Sequence, residues 1–156
     1  MAYRAIILVR SLTLVGAICA VGSMSFADTF DWGARGRKAF AAWQCTSLAI
    51  ISETNTEEAE RLFPLGYALM AELLHGIQGG DVSESEINRL PIGITMNIGG
   101  GPSVDFIAGV VWANNFSALY DELMPDIEGA PFDDKKELQK YKAETRFRNE
   151  NCELIR

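Results

Sequence analysis

Apolar residues recur at spacings of three and four through four separate stretches of the chain, the periodicity of an α-helix packed on one side. The densest stretch is Phe40 to Ile51, FAAWQCTSLAII. Phe40, Trp43, Ser47 and Ile50 fall on one stripe, and Ala41, Cys45, Leu48 and Ile51 fall on another, so apolar surface covers more than half the cylinder. A helix of that kind must be central, and the pattern predicts it from about Arg35 to Ser52. Ahead of it, Asp28 to Gly36 mixes glycines with Phe30 and Trp32 and reads as a lead-in whose aromatics dock before the helix begins.

Asn55, followed by Thr56, Glu57 and Glu58, has the spacing of an N-cap with a reciprocal carboxylate. The second helix should start there, with Ala59, Leu62, Phe63, Gly66, Tyr67, Met70, Leu73, Leu74 and Ile77 inward and Gly76, Gly79 and Gly80 ending it. Pro64 removes a backbone donor and crowds the carbonyl of Glu60, which predicts a kink near Arg61 to Pro64. Ser83 to Glu86 is a second capping box and opens a short turn that stops before Pro91. Residues 91–98, PIGITMNI, are β-branched but have no partner strand, so they read as a helical turn or packed loop.

Gly99, Gly100, Gly101 and Pro102 then break the chain, and Ser103 caps a long helix through Met124. Its expected inward residues are Phe106, Ile107, Val110, Val111, Ala113, Phe116, Leu119, Tyr120 and Leu123. The three glycines are expected to take positive φ while the chain reverses. A charge-rich last helix, capped by Asp133, should place Leu138, Tyr141, Thr145, Arg148 and Cys152 on one face. The predicted fold is all-α: one compact bundle of about four to five helices spanning residues 28–156.

The N-terminus alters the accounting of charge and cysteine. Arg4 and Arg10 lie in a segment without acids, Leu12 to Val21 is an apolar run, and Ser25-Phe26-Ala27 supplies small residues at a cleavage site. Residues 1–27 are therefore expected to be a cleaved signal peptide. The run is too short for a membrane anchor, which needs roughly 20 apolar residues, and Ile18 before Cys19 disfavours lipid modification. Loss of this segment leaves Cys45 and Cys152 as a pair, and an even cysteine count in an exported chain predicts a disulfide joining the first and last helices.

The whole chain holds 14 basic and 21 acidic residues, and the signal removes Arg4 and Arg10 and no acid, leaving 12 against 21. Such an acidic surface disfavours nucleic acid and anionic membranes and permits a basic protein partner, although maintaining solubility is the commoner role of such charge. No cofactor or metal set is legible. His75 is the single histidine, so any Ser-His or Cys-His arrangement must use it, and one histidine with a paired set of cysteines builds no zinc site. Gly99, Gly100, Gly101, Ser103 and Asp105 are the other candidates: a glycine turn before a helix N-terminus can hold an anion, although no lysine accompanies it and Asp105 brings negative charge. The GDVSESE stretch, Gly80 to Glu86, matches the second half of a calcium-binding EF-hand loop, but His75, Ile77 and Gly79 stand where the first half needs oxygen ligands. Asn115-Phe116-Ser117 has the glycosylation pattern but falls mid-helix.

In outline, an export signal followed by a compact acidic helical domain with one disulfide resembles the small bacterial periplasmic proteins that act by binding, immunity proteins and adaptors among them. The resemblance implies a periplasmic or secreted, non-catalytic protein that binds another protein. A small hydrolase or ligand-binding protein using His75 and the Gly99–Asp105 loop is one alternative, and a structural, self-associating homo-oligomer is another. An exposed apolar patch rimmed by acids would favour binding; His75 in a cleft beside a carboxylate would favour catalysis.

Overall fold

The computed structural model describes residues 30–156, so the expected signal peptide, residues 1–27, lies outside the described residues. Four long helices carry the fold: α1 (Trp32–Ser52), α2 (Thr56–Gly79), α5 (Val104–Leu123) and α6 (Phe132–Asn149). Two single-turn helices, α3 (Glu84–Ile87) and α4 (Ile92–Thr95), bridge α2 to α5, and a 3-10 turn (Cys152–Leu154) follows α6. Among the described residues there is no strand, and no helix is long and apolar enough to cross a membrane.

Helix α1 is the hub, touching α2, α3, α5 and α6. Ala39, Ala42, Trp43, Cys45, Leu48, Ala49 and Ile51 are buried around most of its circumference, and Ile50 alone of the predicted stripes is exposed. Buried hydroxyls are satisfied within the helix: Thr46 donates to the Ala42 carbonyl (2.8 Å) and Ser47 to that of Trp43 (2.9 Å). This local bonding lets polar residues sit in an apolar interior without an unmet hydrogen bond.

The helix starts earlier than the glycines suggest. Asp31 is its N-cap and accepts from the Ala34 amide (2.8 Å), and Trp32 and Gly33 are already helical. Gly36 is kept by packing, since a Cβ there would lie 2.4 Å from Leu90 Cδ2. Gly66 and Gly76 on α2 are alike, their missing Cβ atoms leaving room for the indoles of Trp43 and Trp32. Close approach of large side chains to bare backbone outweighs the roughly 1 kcal/mol of helix propensity that each glycine loses.

Helix α2 runs continuously through Pro64 to an αL cap at Gly80 (φ 81°). Asn55 flanks it as predicted but its side chain makes no capping bond, and Glu58 instead pairs with Arg61. Phe63 and Tyr67 are more exposed than predicted, while Leu69 is buried. On α5 the buried set is Val104, Ile107, Ala108, Val111, Leu119 and Leu123; Phe106 and Ala113, expected inward, face solvent.

The face of α6 is a larger correction. Gln139, Ala143 and Phe147 are buried at i, i+4 and i+8, whereas Tyr141 is 64% exposed. The helix also begins at Phe132, after Pro131, with Asp133 in its first turn. Cys152, expected on the same face as Leu138, Tyr141, Thr145 and Arg148, is not on α6: Asn151 takes a left-handed conformation (φ 54°) and resets the phase before the 3-10 turn.

The core divides into two clusters sharing α1. One gathers Trp43, Met70, Leu73, Leu74, Ile94, Ile107 and Val111 around the N-terminal half of α1. The other gathers Cys45, Leu48, Leu62, Leu119, Leu123, Phe147 and Cys152 around its C-terminal half.

Candidate functional site

Cys45 and Cys152 are joined, with Cα atoms 5.5 Å apart across a sequence separation of 107. Both are buried. Closing so long a loop stabilises by about 4–5 kcal/mol on the chain-entropy account. Glu150 lies within 4.8 Å of both sulfurs, the one grouping of metal-ligand atoms among the described residues. Its carboxylate accepts from Arg146 Nε at 2.6 Å and the sulfurs are bonded to each other, so this is a structural staple. Arg61 reinforces it by donating to the Ile155 carbonyl (2.6 Å), which fixes the chain end against α2.

The other sequence candidates are not gathered into one place. His75 is exposed near the end of α2, beside the buried Gly76. Asp105 accepts a hydrogen bond from the Tyr67 hydroxyl, and that bond raises the Tyr67 pKa above its ordinary value. His75 stands eight residues past Tyr67 on α2, about 12 Å along a helix. Ser103 caps α5 as predicted, accepting from the Phe106 amide (3.2 Å). Gly99, Gly100 and Gly101 differ from expectation: the positive-φ glycines of the described residues are Gly80 and Gly129. Gly101 is needed for space, because a Cβ would fall 2.6 Å from Phe106 Cδ1, while at Gly99 and Gly100 it would meet nothing within 4 Å. The Ser83–Glu86 box forms, the Ser83 amide donating to Glu86 (3.0 Å). Hydrogen bonds from the Ser83 hydroxyl and then its amide hold the Glu86 pKa below its ordinary value.

A groove of about 510 Å3 lies between α1, α4 and α5. Residues 91–98, read from sequence as a turn or packed loop, form its wall. Pro91 starts the turn, its carbonyl accepting from Ile94 (2.9 Å) and Thr95 (3.2 Å). Ile94 is wholly buried and anchors the turn in the core, while Ile92 and Met96 are 73% and 78% exposed. The split follows from helical geometry: residues two apart point about 200° apart, and residues four apart share a face. Phe40 from α1 forms the floor against Gly93, where a Cβ would come within 2.8 Å of the ring.

Polar groups in the groove are mostly carboxamides. Asn97 donates to the Gly93 carbonyl (2.8 Å) and accepts from Asn114 Nδ2 (3.1 Å), tying α4 to α5. Asn115 is half-buried, its amide 3.5 Å from Ser47 Oγ. Gln44 faces the groove and makes no side-chain hydrogen bond among the described residues. Glu122 is the one charged residue of the lining, and Arg146 takes one of its oxygens at 2.8 Å.

Sequence reasoning missed this site. The available signal was the run from Leu90 to Asp134, which has seven acids and no Lys, Arg or His, with Ile92 and Met96 one helical turn apart inside it. Chemically the groove can exclude water from an apolar group and hydrogen-bond a neutral polar one. It presents no nucleophile beside a base. Comparison with protein-family models, curated proteins and solved structures finds no match for this chain.

Proposed function

We propose that this chain is an exported, non-catalytic binding protein, periplasmic or secreted, that recognises another protein through the groove between α1, α4 and α5. The observation that carries the reading is the pair Ile92 and Met96, held outward by a turn whose Ile94 is locked in the core. Two large apolar side chains left in water on a rigid turn are a cost to a free protein and a gain to one that binds. The staple between Cys45 and Cys152 suits an oxidising compartment, as does the expected signal at residues 1–27.

The test is affinity capture of partners in the exporting host with the protein and its Met96→Arg variant. The exposed position leaves the fold and melting temperature unchanged, and a partner retained by the parent protein is lost from the variant. Retention by both would contradict the assignment of the groove. Self-association draws on a separate observation, the exposed Phe63 and Tyr67 on successive turns of α2 with Phe106 on α5. Sedimentation over a range of concentrations decides it, since Phe63→Ser would dissociate a dimer built on that face and leave capture at Met96 intact.

A further inference from the structure

We infer that the groove receives an extended, cationic peptide segment, with an apolar side chain held among Phe40, Ile92 and Met96 and the peptide backbone read by Gln44 and Asn114. This rests on the binding reading above and names the chemistry of the partner. Size comes first: about 510 Å3 is the scale of a small-ligand site, room for a few consecutive residues and too little for the face of a folded domain.

The carboxamides decide between extended and helical. Gln44 keeps both its donors and its acceptor free among the described residues, and Asn114 spends one N–H on Asn97 and keeps its oxygen. A side-chain amide offers donor and acceptor side by side, as a peptide group does. An extended segment has unpaired N–H and C=O groups to meet them, whereas a helix has already bonded its own.

Charge decides the sign of the partner. Helices α4 and α5 lie in the run from Leu90 to Asp134 that has no cationic residue. Glu122 and Glu150 share one cation, Arg146, and exposed Asp121 next to Glu122 has no ion pair among the described residues, so negative potential remains at one end of the groove. Lys or Arg beside the buried apolar residue is attracted there, and Asp or Glu is repelled. A neutral saccharide would also meet carboxamides, but this charge would play no part in holding it.

Fluorescence anisotropy tests the inference with short, end-blocked, labelled peptides and the full chain as purified. The probes are one peptide of alternating Lys and Leu, one with Glu for Lys and one with Ser for Leu; a maltose oligosaccharide serves as competitor. The Lys-Leu peptide is expected to bind saturably and more weakly as salt rises. Each peptide substitution should weaken it at least tenfold, about the loss of one good contact, and Gln44→Ala, Asn114→Ala and Met96→Ser should each weaken it severalfold without moving the melting temperature. Equal binding of the Glu-Leu peptide, indifference to Gln44→Ala and Asn114→Ala together, or displacement by the saccharide would overturn the inference. If the peptides fail while a captured protein still depends on Met96, the occupant named here is wrong and the binding reading stands; if both fail, both fall.

Discussion

Around the C-terminal half of α1, the core of Leu48, Leu62, Leu119 and Phe147 is closed by covalent and ionic links: the Cys45–Cys152 bond, Arg61 on the Ile155 carbonyl, and Glu53 between Lys136 and Lys140. Buried Gln139 adds a bond to the Tyr120 carbonyl at 2.7 Å. Around the N-terminal half, Arg35 pairs with Glu72 at 2.7 Å, and the core of Trp43, Met70, Leu73 and Ile94 is held mainly by shape, with rings pressed on glycine backbone at Gly66, Gly76 and Gly93. The closed half buries Leu48, Leu62, Leu119 and Phe147 but leaves Phe132, Tyr141 and Leu154 in solvent, and the open half leaves Ile92 and Met96 there, on the wall of the groove.

The largest expected effect falls on the closed half. Replacing Cys45 and Cys152 together by Ala should lower the unfolding free energy by about 2–5 kcal/mol, measured by chemical denaturation. Hydrogen exchange in α6 should accelerate more than in α4, because the lost link is on that side. Uniform acceleration would show that the halves do not differ as described.

In the open half the sensitive element is packing. Gly66→Ala puts a Cβ 2.5 Å from Trp43 Cδ1, and the indole is held by its bond to the Phe63 carbonyl (3.3 Å). Overpacking costs about 1–3 kcal/mol, against about 1 kcal/mol of helix propensity that alanine returns. A net loss is expected in thermal denaturation, with Gly100→Ala nearly neutral in the same assay. Gain of stability at Gly66 would contradict the close approach.

Much of this was legible from residue pattern, and the misses have physical causes. The four long helices, the central place of α1, the Ser103 cap and the cysteine pairing follow from periodicity, turn chemistry and cysteine count. The start of α1 was hidden because Gly33 and Gly36 look like loop residues until Leu90 and Leu73 are seen against Gly36. The face of α6 is hard to read because that helix buries a glutamine, an alanine and a phenylalanine in turn, Gln139, Ala143 and Phe147, a weak apolar pattern, and Cys152 lies beyond its end. The groove was invisible for a related reason: Gln44, Asn97 and Asn114 come from three separate elements, and local spacing does not reveal that they meet.

The smallest predicted effect concerns pH at the closed end. Hydrogen bonds from Lys140 first, then Lys136, hold the Glu53 pKa below its ordinary value of 4.5. A carboxylate with a depressed folded pKa contributes stability in full above 4.5, and the contribution is lost as pH falls through its folded value. Glu53→Gln should therefore melt below the parent protein at neutral pH, with the gap closing as the solution is acidified past that point. A gap independent of pH would remove the ion pairs from the account.

The most direct measurement compares the two halves by photo-crosslinking in the cells that make the protein. A photoreactive residue is placed at Met96 in one variant and at Tyr141 in another, both exposed sites, one at the open groove and one on α6. The account predicts a discrete protein adduct from position 96 and none from position 141. Equal adducts from both positions, or an adduct from 141 alone, would contradict it.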